Sequence, residues 1–385
     1  MDRMDPVALA QDLIRCRSVT PADGGALAVL EAVLKPLGFE CRRLAFGEGG
    51  ERVENLYARW GGTGPNLCFA GHTDVVPPGE GWKHDPFGGA IENGVLYGRG
   101  AADMKGGIAA FVAAAGRYLA RTKPNGSISL LITGDEEGLS VNGTAKVLDW
   151  MRAEEERIDH CIVGEPTAAQ TAGDTIKIGR RGSMKIAITV KGVQGHTAYP
   201  QKALNPIPVL AEIVTRLAGA PLDEGSEHFE PSTLVFTTFD VGNPAANVSP
   251  GEARAACNIR FNDLHTADAL KARVESVAKN VTARMGGEFS LDVLVGAVSF
   301  LTRPGPFTDL LQRTIARATN ATPEFSTGGG SSDARFIKDH CPVAEIGLPG
   351  GSMHKVDEGA AVSEIARLTA IYEAILAAYF ENPPR

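Results

Sequence analysis

The arrangement of apolar residues along the chain constrains the fold more than any other feature. Up to about residue 178, short apolar runs alternate with helical stretches. The runs lie at 66–71, 127–134 and 160–165, and the helical stretches at 104–120 and 143–151. Because these runs lack polar alternation, they are typical of strands covered on both faces. We therefore predict an α/β domain, a mixed sheet with helices on both faces.

The pattern changes between about residues 179 and 293. In SMKIAITVKG, four apolar residues alternate with polar or small ones, which is the period of a half-exposed strand. Two similar strands (232–242 and 252–261) and two helical stretches (205–218 and 266–285) complete a small α+β unit. The first pattern then returns at 306–320, 342–347 and 361–380.

These patterns predict two domains, and a length of 385 residues agrees with domains of about 150 residues each. The larger α/β domain comprises 1–178 and 294–385, and it is interrupted by a smaller α+β domain at 179–293.

Composition and charge restrict the classes of function. The net charge is −8 without any basic block, so nothing favours nucleic acid or an anionic membrane surface. No apolar stretch approaches the roughly 20 residues of a membrane span, and the charged, amphipathic N-terminal segment predicts a helix rather than a signal peptide. The six scattered cysteines favour reduced thiols in a cytoplasmic protein.

Three adjacent carboxylates, Asp135, Glu136 and Glu137, follow the apolar run LLITG. Such charges repel one another, and burial disfavours each charged form, so either water solvates them or a cation holds them. Neighbouring side chains on extended backbone diverge. One glutamate can therefore bind a metal while the other acts as general base. We expect Asp135 to be structural and to cap the turn.

Further potential metal ligands occur at strand ends and turns. In GHTD, His72 and Asp74 face the same side of an extended chain, which places Asp74 to hold the second ring nitrogen of His72. Asp103, Glu165 and His354 also fall beside strands or turns. Taken singly, each has an ordinary explanation: a surface His–Asp pair, a helix N-cap, a turn acid and a loop histidine.

Taken together, the histidines and carboxylates form a nitrogen and oxygen ligand set suited to zinc or a similar divalent ion. There are enough donors for two metals if Asp103 bridges them. Two-metal hydrolases place their ions about 3.5–4 Å apart.

Seven sequence blocks in order carry a resemblance to a known family. They are GHTDVVPPG, YGRGAADMKGG, TGDEEG, VGEPT, GRRGS, GVQGHTAYP and MHKVDE. Over nearly the whole chain they resemble the dizinc aminoacylase and exopeptidase superfamily, and within it the bacterial desuccinylases. The loop LPGGSM, with Gly350, and Gly296 depart from the family pattern, which has a polar amide and a serine near these places.

The resemblance implies two Zn²⁺ per subunit, with Co²⁺ possible at one site. His72, Asp103 and Glu165 would hold one ion, and Asp103, Glu137 and His354 the other. Glu136 would be the general base and Asp74 the partner of His72. The inserted domain would close over the site and form a homodimer.

The family pattern also implies residues that contact a small-molecule substrate, and His196 as a donor to the tetrahedral oxyanion. The contacts are Arg180, Tyr199, Asn247, Arg260, Gly330 and Ser331. Arginine suits a substrate with free carboxylates because its guanidinium can donate two parallel hydrogen bonds.

Three functions remain open from the sequence. The first is hydrolysis of N-succinyl-L,L-2,6-diaminopimelate, in the synthesis of lysine and peptidoglycan precursors. The second is deacetylation of acetylornithine or hydrolysis of other N-acyl amino acids. The third is metal-dependent binding without catalysis, against which the carboxylate of Glu136 beside a full ligand set argues.

Overall fold

A computed structural model describes residues 4–384. In chain order the strands are β1 (Glu40–Phe46), β2 (Val53–Trp60), β3 (Asn66–His72), β4 (Ala90–Glu92), β5 (Val95–Tyr97), β6 (Ser127–Thr133), β7 (His160–Val163), β8 (Thr175–Lys177), β9 (Gly179–Arg180), β10 (Gly182–Lys191), β11 (Gly195–His196), β12 (Thr233–Asp240), β13 (Val248–Ser249), β14 (Glu252–Phe261), β15 (Glu288–Ala297), β16 (Phe300–Leu301), β17 (Glu324–Ser326), β18 (Val343–Glu345) and β19 (Gly359–Ala361). The α-helices are α1 (Pro6–Arg15), α2 (Ala26–Leu34), α3 (Gly106–Arg121), α4 (Thr144–Ala153), α5 (Pro206–Ala218), α6 (Ala267–Met285), α7 (Pro306–Thr319), α8 (Ala334–Ile337) and α9 (Val362–Glu381).

The chain separates into two compact units. The first contains the chain up to Ile178, together with Thr302–Ser326 and the segment from Ser332 onward; the second contains Gly179–Leu301 and Thr327–Ser331. The predicted boundary between 293 and 294 falls inside β15, which pairs with β10 as far as Ala297. Because a strand stays with its sheet, the second unit extends beyond the predicted boundary.

An eight-stranded mixed sheet forms the centre of the first unit, in the order β1-β2-β6-β3-β7-β18-β8-β17. At its middle, β3 runs parallel to both β6 and β7. Every residue of β3 and β6 is buried, as predicted for strands covered on both faces. Phe69 of β3 stacks on Phe111 of α3 at 4.3 Å between ring centroids and meets Tyr372 of α9 edge-on at 5.7 Å. The α/β fold class is therefore confirmed.

The second unit has a four-stranded antiparallel sheet in the order β12-β14-β10-β15. The alternation read in β10 is confirmed, because Met184, Ile186, Ile188 and Val190 are buried while Lys185 and Lys191 are exposed. The buried side chains pack with residues of α5 and α6 in one hydrophobic core. Strand β15 in this sheet, like the β1–β2 pair of the first unit, was not predicted from the sequence.

The N-terminal segment, the apolar character of the helices and the cysteines each correspond to an expectation from the sequence. The N-terminal segment forms α1, which the side chain of Asp5 caps. Among the residues that the structure describes, no helix has both the length and the apolar character needed to cross a membrane. All six cysteines are free thiols, and four of them are buried.

Candidate metal centre

Topology brings the predicted metal ligands of the first unit to one edge of its sheet. Strands β6, β3 and β7 are neighbours and parallel, so their carboxyl ends coincide. His72 is the last residue of β3, Glu136 and Glu137 follow β6, and Glu165 follows β7. Ligand sites of α/β sheets occur at such carboxyl ends.

Asp103 reaches the same edge from the irregular turn Ala101–Lys105 that precedes α3. Its backbone angles, φ −124° and ψ 94°, interrupt the helical conformation. The start of α3 lies directly against the end of β7, because a Cβ atom at Gly107 would stand 2.7 Å from the carbonyl oxygen of Gly164. Gly107, the second glycine in MKGG, thus permits the close approach that brings the turn to the strand ends.

The donors form a continuous cluster centred on Asp103. One carboxylate oxygen of Asp103 lies 3.1 Å from Nε2 of His72, and the other lies 3.3 Å from Nε2 of His354. Glu165 lies 3.7 Å from Nε2 of His72, and Glu137 lies 2.8 Å from Nε2 of His354. Asp103 thus contacts both histidines through different oxygens, which is the arrangement that a bridging carboxylate requires.

Two overlapping groups have donor atoms close enough to share an ion. Within each group, all donor atoms lie within 4.8 Å of one another. One group is His72, Asp103 and Glu137, and the other is His72, Glu136 and Glu165. Glu136 therefore lies among the donors, although the sequence reasoning gave it the role of general base.

The histidines carry strongly perturbed acid–base properties. Hydrogen bonds with Asp103 and Glu137 raise the pKa of His354 to about 10. Burial opposes a charge on His72, yet its hydrogen bond with Asp103 raises the pKa of this ring well above its usual value. Burial would raise the pKa of Asp103, but the hydrogen bonds from both histidines lower it. Protonated rings thus neutralise the carboxylates wherever no metal does so.

The pKa of Glu136 is raised, whereas that of Asp103 is lowered. Burial is the largest cause and raises its pKa above the ordinary range of a glutamate. The charges of Asp333 and Glu137 act in the same direction, while His72 opposes them. A partly buried carboxyl with a raised pKa is typical of functional sites.

Asp74 and Asp135 organise the backbone around the cluster. Nδ1 of His72 contacts the backbone carbonyl of Asp74 at 2.9 Å, whereas the nearer carboxylate oxygen is 3.7 Å away. The Asp74 carboxylate instead accepts hydrogen bonds from the backbone N–H groups of Glu136 and Glu137, at 3.3 and 3.0 Å. Asp135 caps the turn, as expected, by accepting from the backbone N–H groups of residues 141 and 142.

The donor set fits divalent metal ions. It offers imidazole nitrogens and carboxylate oxygens, which suit zinc and similar ions. His72, Asp103 and Glu165 are buried, and so many acids in a buried site require positive charge nearby. Cations at this place would take over the neutralising role of the histidine protons, as expected for a metal site that releases protons when it fills.

The other predicted residues belong to the second unit, where the structure brings some of them together in two groups. His196, Tyr199 and Asn247 lie near the pairing of β11 with β13; the rings of His196 and Tyr199 are 5.8 Å apart, and all three residues are exposed. Arg180 is buried and donates from Nη1 to the carbonyl oxygen of Gly330 at 3.0 Å.

Arg260 is half-buried on β14, opposite Ser183 of β10. Ser331 is exposed beside Gly330.

Sequence reasoning missed two buried side chains beside the donors, Arg99 and Glu358. Both occur in motif blocks that carried the resemblance, YGRGAADMKGG and MHKVDE, without being given a role. They are 2% and 0% exposed. Charged side chains are almost never fully buried unless they are paired. The sequence does not show which distant charges pair, because the partners meet only in the folded protein.

The fold and the donor cluster together are typical of metal-dependent hydrolases with two ions. The chain belongs to peptidase family M20/M25/M40, whose family model matches residues 68–378.

Sequence similarity to known proteins extends over nearly the entire chain. A succinyl-diaminopimelate desuccinylase of Rhodospirillum centenum is 60% identical over 380 residues, covering 98% of this chain and 97% of that protein. A succinyl-diaminopimelate desuccinylase of Parvibaculum lavamentivorans is 56% identical, with 98% and 96% covered.

Solved structures share the fold at lower identity. Aminopeptidase PepT from Bacillus cereus matches with a TM-score of 0.79 and 22% identity, covering 98% of this chain and 99% of that one. The YXEP protein of Bacillus subtilis, described as a dinuclear metal-binding peptidase of the M20 family, matches with a TM-score of 0.75 and 14% identity over 99% and 98%.

Proposed function

We propose that this protein hydrolyses the amide bond of N-succinyl-L,L-2,6-diaminopimelate, releasing succinate and L,L-2,6-diaminopimelate for lysine and peptidoglycan synthesis. One geometric observation carries the hydrolytic part of the proposal: Asp103 lies within hydrogen-bonding distance of both histidine rings. The substrate is suggested by the two desuccinylases that are 60% and 56% identical to this chain. The six free thiols agree with action in the cytoplasm.

The metal cofactor in this proposal is a pair of Zn²⁺ ions, with Co²⁺ possible at one site. His72, Asp103 and Glu165 hold one ion, and Asp103, Glu137 and His354 hold the other. The contacts of 2.8–3.7 Å among these side chains support the two sets. When bound, such ions lower the pKa of a water molecule toward about 7 and polarise the amide carbonyl.

Glu136 acts as the general base in this scheme. The backbone N–H groups of Glu136 and Glu137 both donate to the carboxylate of Asp74, which fixes the turn that carries the two side chains. Glu137 contacts His354, while Glu136 lies among the donors around His72. Glu136 accepts a proton from the attacking water and later delivers it to the leaving amine.

Substrate recognition falls to polar residues of the second unit in this proposal. Arg180 and Arg260 bind carboxylates, and Tyr199, Asn247, Gly330 and Ser331 supply further contacts. A guanidinium suits the succinyl carboxylate because it donates two hydrogen bonds in a plane. The buried position of Arg180, held by the Gly330 carbonyl, supports a fixed orientation for its guanidinium.

His196 serves as the donor to the oxyanion, and the protein acts as a homodimer through the second unit. The Nδ1 atom of His196 accepts a hydrogen bond from the backbone N–H of Ala198 at 3.1 Å. A neutral ring that accepts at Nδ1 carries its proton at Nε2. That proton is therefore available to a substrate oxygen, and exposure of the ring agrees with a partner chain as its target.

The proposal is tested by measuring hydrolysis of N-succinyl-L,L-2,6-diaminopimelate and N-acetylornithine by the zinc-loaded protein. We expect a much higher kcat/KM for the succinyl substrate. A higher kcat/KM for N-acetylornithine would instead identify the protein as a deacetylase. Absence of turnover of any N-acyl amino acid by metal-loaded, folded protein would leave only metal-dependent binding.

A further inference from the structure

We propose that Arg99 and Glu358 form a buried clamp that positions two candidate metal ligands, Asp103 and His354, relative to each other. The inference rests on the metal centre of the proposed function. Nη1 of Arg99 donates to Oε2 of Glu358 at 2.7 Å, and both side chains are almost completely buried. The two residues are positioning residues, since neither is among the donors of the cluster.

Glu358 holds the backbone that carries the bridging carboxylate. Its second oxygen, Oε1, accepts hydrogen bonds from the N–H groups of Ala102 and Asp103, at 3.0 and 3.1 Å. The turn Ala101–Lys105 is not regular helix at Asp103. Buried N–H groups in such a turn need an acceptor from elsewhere, and the Glu358 carboxylate provides it.

Arg99 holds the segment that carries the second histidine. Its Nη1 also donates to the carbonyl oxygen of Lys355 at 3.1 Å, directly after His354. His354 has a φ of +61°, a left-handed conformation that non-glycine residues adopt only when surrounding contacts fix it. The other terminal nitrogen of Arg99 donates to the carbonyl oxygen of Pro78 at 3.1 Å, which anchors the guanidinium.

Stability alone does not account for this pair. A buried ion pair is often no more stabilising than apolar residues of similar volume, because both charges lose their hydration. Here each partner also bonds backbone next to a candidate ligand: Arg99 donates to the carbonyl oxygen of Lys355, and Glu358 accepts from the N–H groups of Ala102 and Asp103. One ion pair thereby connects the turn of Asp103 with the loop of His354, which lie about 250 positions apart in the sequence.

The test is Glu358→Gln, in which the amide oxygen can still accept from the turn but the amide nitrogen places a donor against Arg99. Glu40→Gln is the matched control, because Glu40 pairs with Arg42 on the surface at 2.9 Å with 72% of its side chain exposed. Zinc affinity is measured by competition with a chromophoric chelator. The visible spectrum of the protein saturated with Co²⁺ reports the ligand geometry.

We expect Glu358→Gln to lower the affinity for at least one zinc ion by about tenfold to a hundredfold, as for other partners of metal ligands. The Co²⁺ spectrum should change even at saturation, which a purely stabilising role would not produce. Glu40→Gln should match the wild type in both measurements. Should Glu358→Gln not fold, Arg99→Lys gives the same test, because one ammonium keeps the charge but cannot reproduce the planar fork of donors.

The outcomes separate the clamp from the function on which it rests. Wild-type protein that binds no zinc or cobalt would refute the metal centre itself. Wild-type protein that binds two ions, with an unchanged affinity and Co²⁺ spectrum in the folded variant, would refute the clamp alone.

Discussion

Replacement of Glu136 by glutamine separates the general base from the metal ligands. Glutamine has nearly the same shape but cannot accept the proton of water, and loss of a general base costs about a hundredfold to ten-thousandfold in rate. At 1.36 kcal/mol per factor of ten, the barrier rises by about 2.7–5.4 kcal/mol. The contacts of 2.8–3.7 Å among the other donors remain. The backbone hydrogen bonds to Asp74 also remain, because neither uses the exchanged side chain.

The assay combines kcat on the succinyl substrate with the zinc content of the same preparation. Glu136→Gln should keep two zinc ions per chain and lose most of its kcat. Glu137→Gln is the matched control, since Glu137 contacts His354 at 2.8 Å and its loss should weaken one metal site first. If Glu136→Gln lost both ions, or kept its rate within a factor of ten, the assignment of the base would be wrong.

Three further predictions concern binding, assembly and pH. Arg260→Ala should raise KM for the succinylated substrate more than for an acetylated analogue, because a lost carboxylate contact affects the group that it holds; equal losses would show a structural role. His196→Ala should be almost inactive yet folded and metal-loaded, since an oxyanion donor contributes about 3–4 kcal/mol. Mixed dimers of His196→Ala with Glu136→Gln should regain activity. Mixed dimers that stay inactive would exclude action of His196 across the interface. In metal-free protein, hydrogen bonds with Asp103 and Glu137 raise the pKa of His354 from 6.5 to about 10. The stability from this raised pKa is complete below about pH 6.5 and is lost as the pH rises through about 10. The melting temperature of metal-free wild type should therefore fall more steeply between pH 7 and 10 than that of His354→Gln, and equal slopes would contradict the pKa assignment.

Some of the site could be predicted because strand direction determines where residues meet. His72 and Glu165 each follow a continuous apolar run, and parallel strands place such positions at one edge. The alternation in β10 likewise marked the second unit, since its period of two follows from backbone geometry alone.

Other features depend on contacts that no local pattern reveals. The boundary at 293 was misplaced because β15 is largely half-buried or exposed and belongs to its sheet only through pairing with β10. The predicted contact of the Asp74 carboxylate with His72 was replaced by a backbone carbonyl contact, because the carboxylate is occupied by the N–H groups of the following turn. Arg99 and Glu358 meet across 259 positions, so that only the folded chain shows their pairing.

The central claim is that a two-ion centre built on Asp103 hydrolyses a succinyl amide. It is tested most directly by titrating metal-free protein with zinc while measuring bound zinc and succinate released from N-succinyl-L,L-2,6-diaminopimelate. We expect activity to require zinc, to reach its maximum at two ions per chain, and to yield succinate and free amine in equal amounts. Folded protein that binds two zinc ions and releases no succinate, or that is fully active without metal, would contradict the claim.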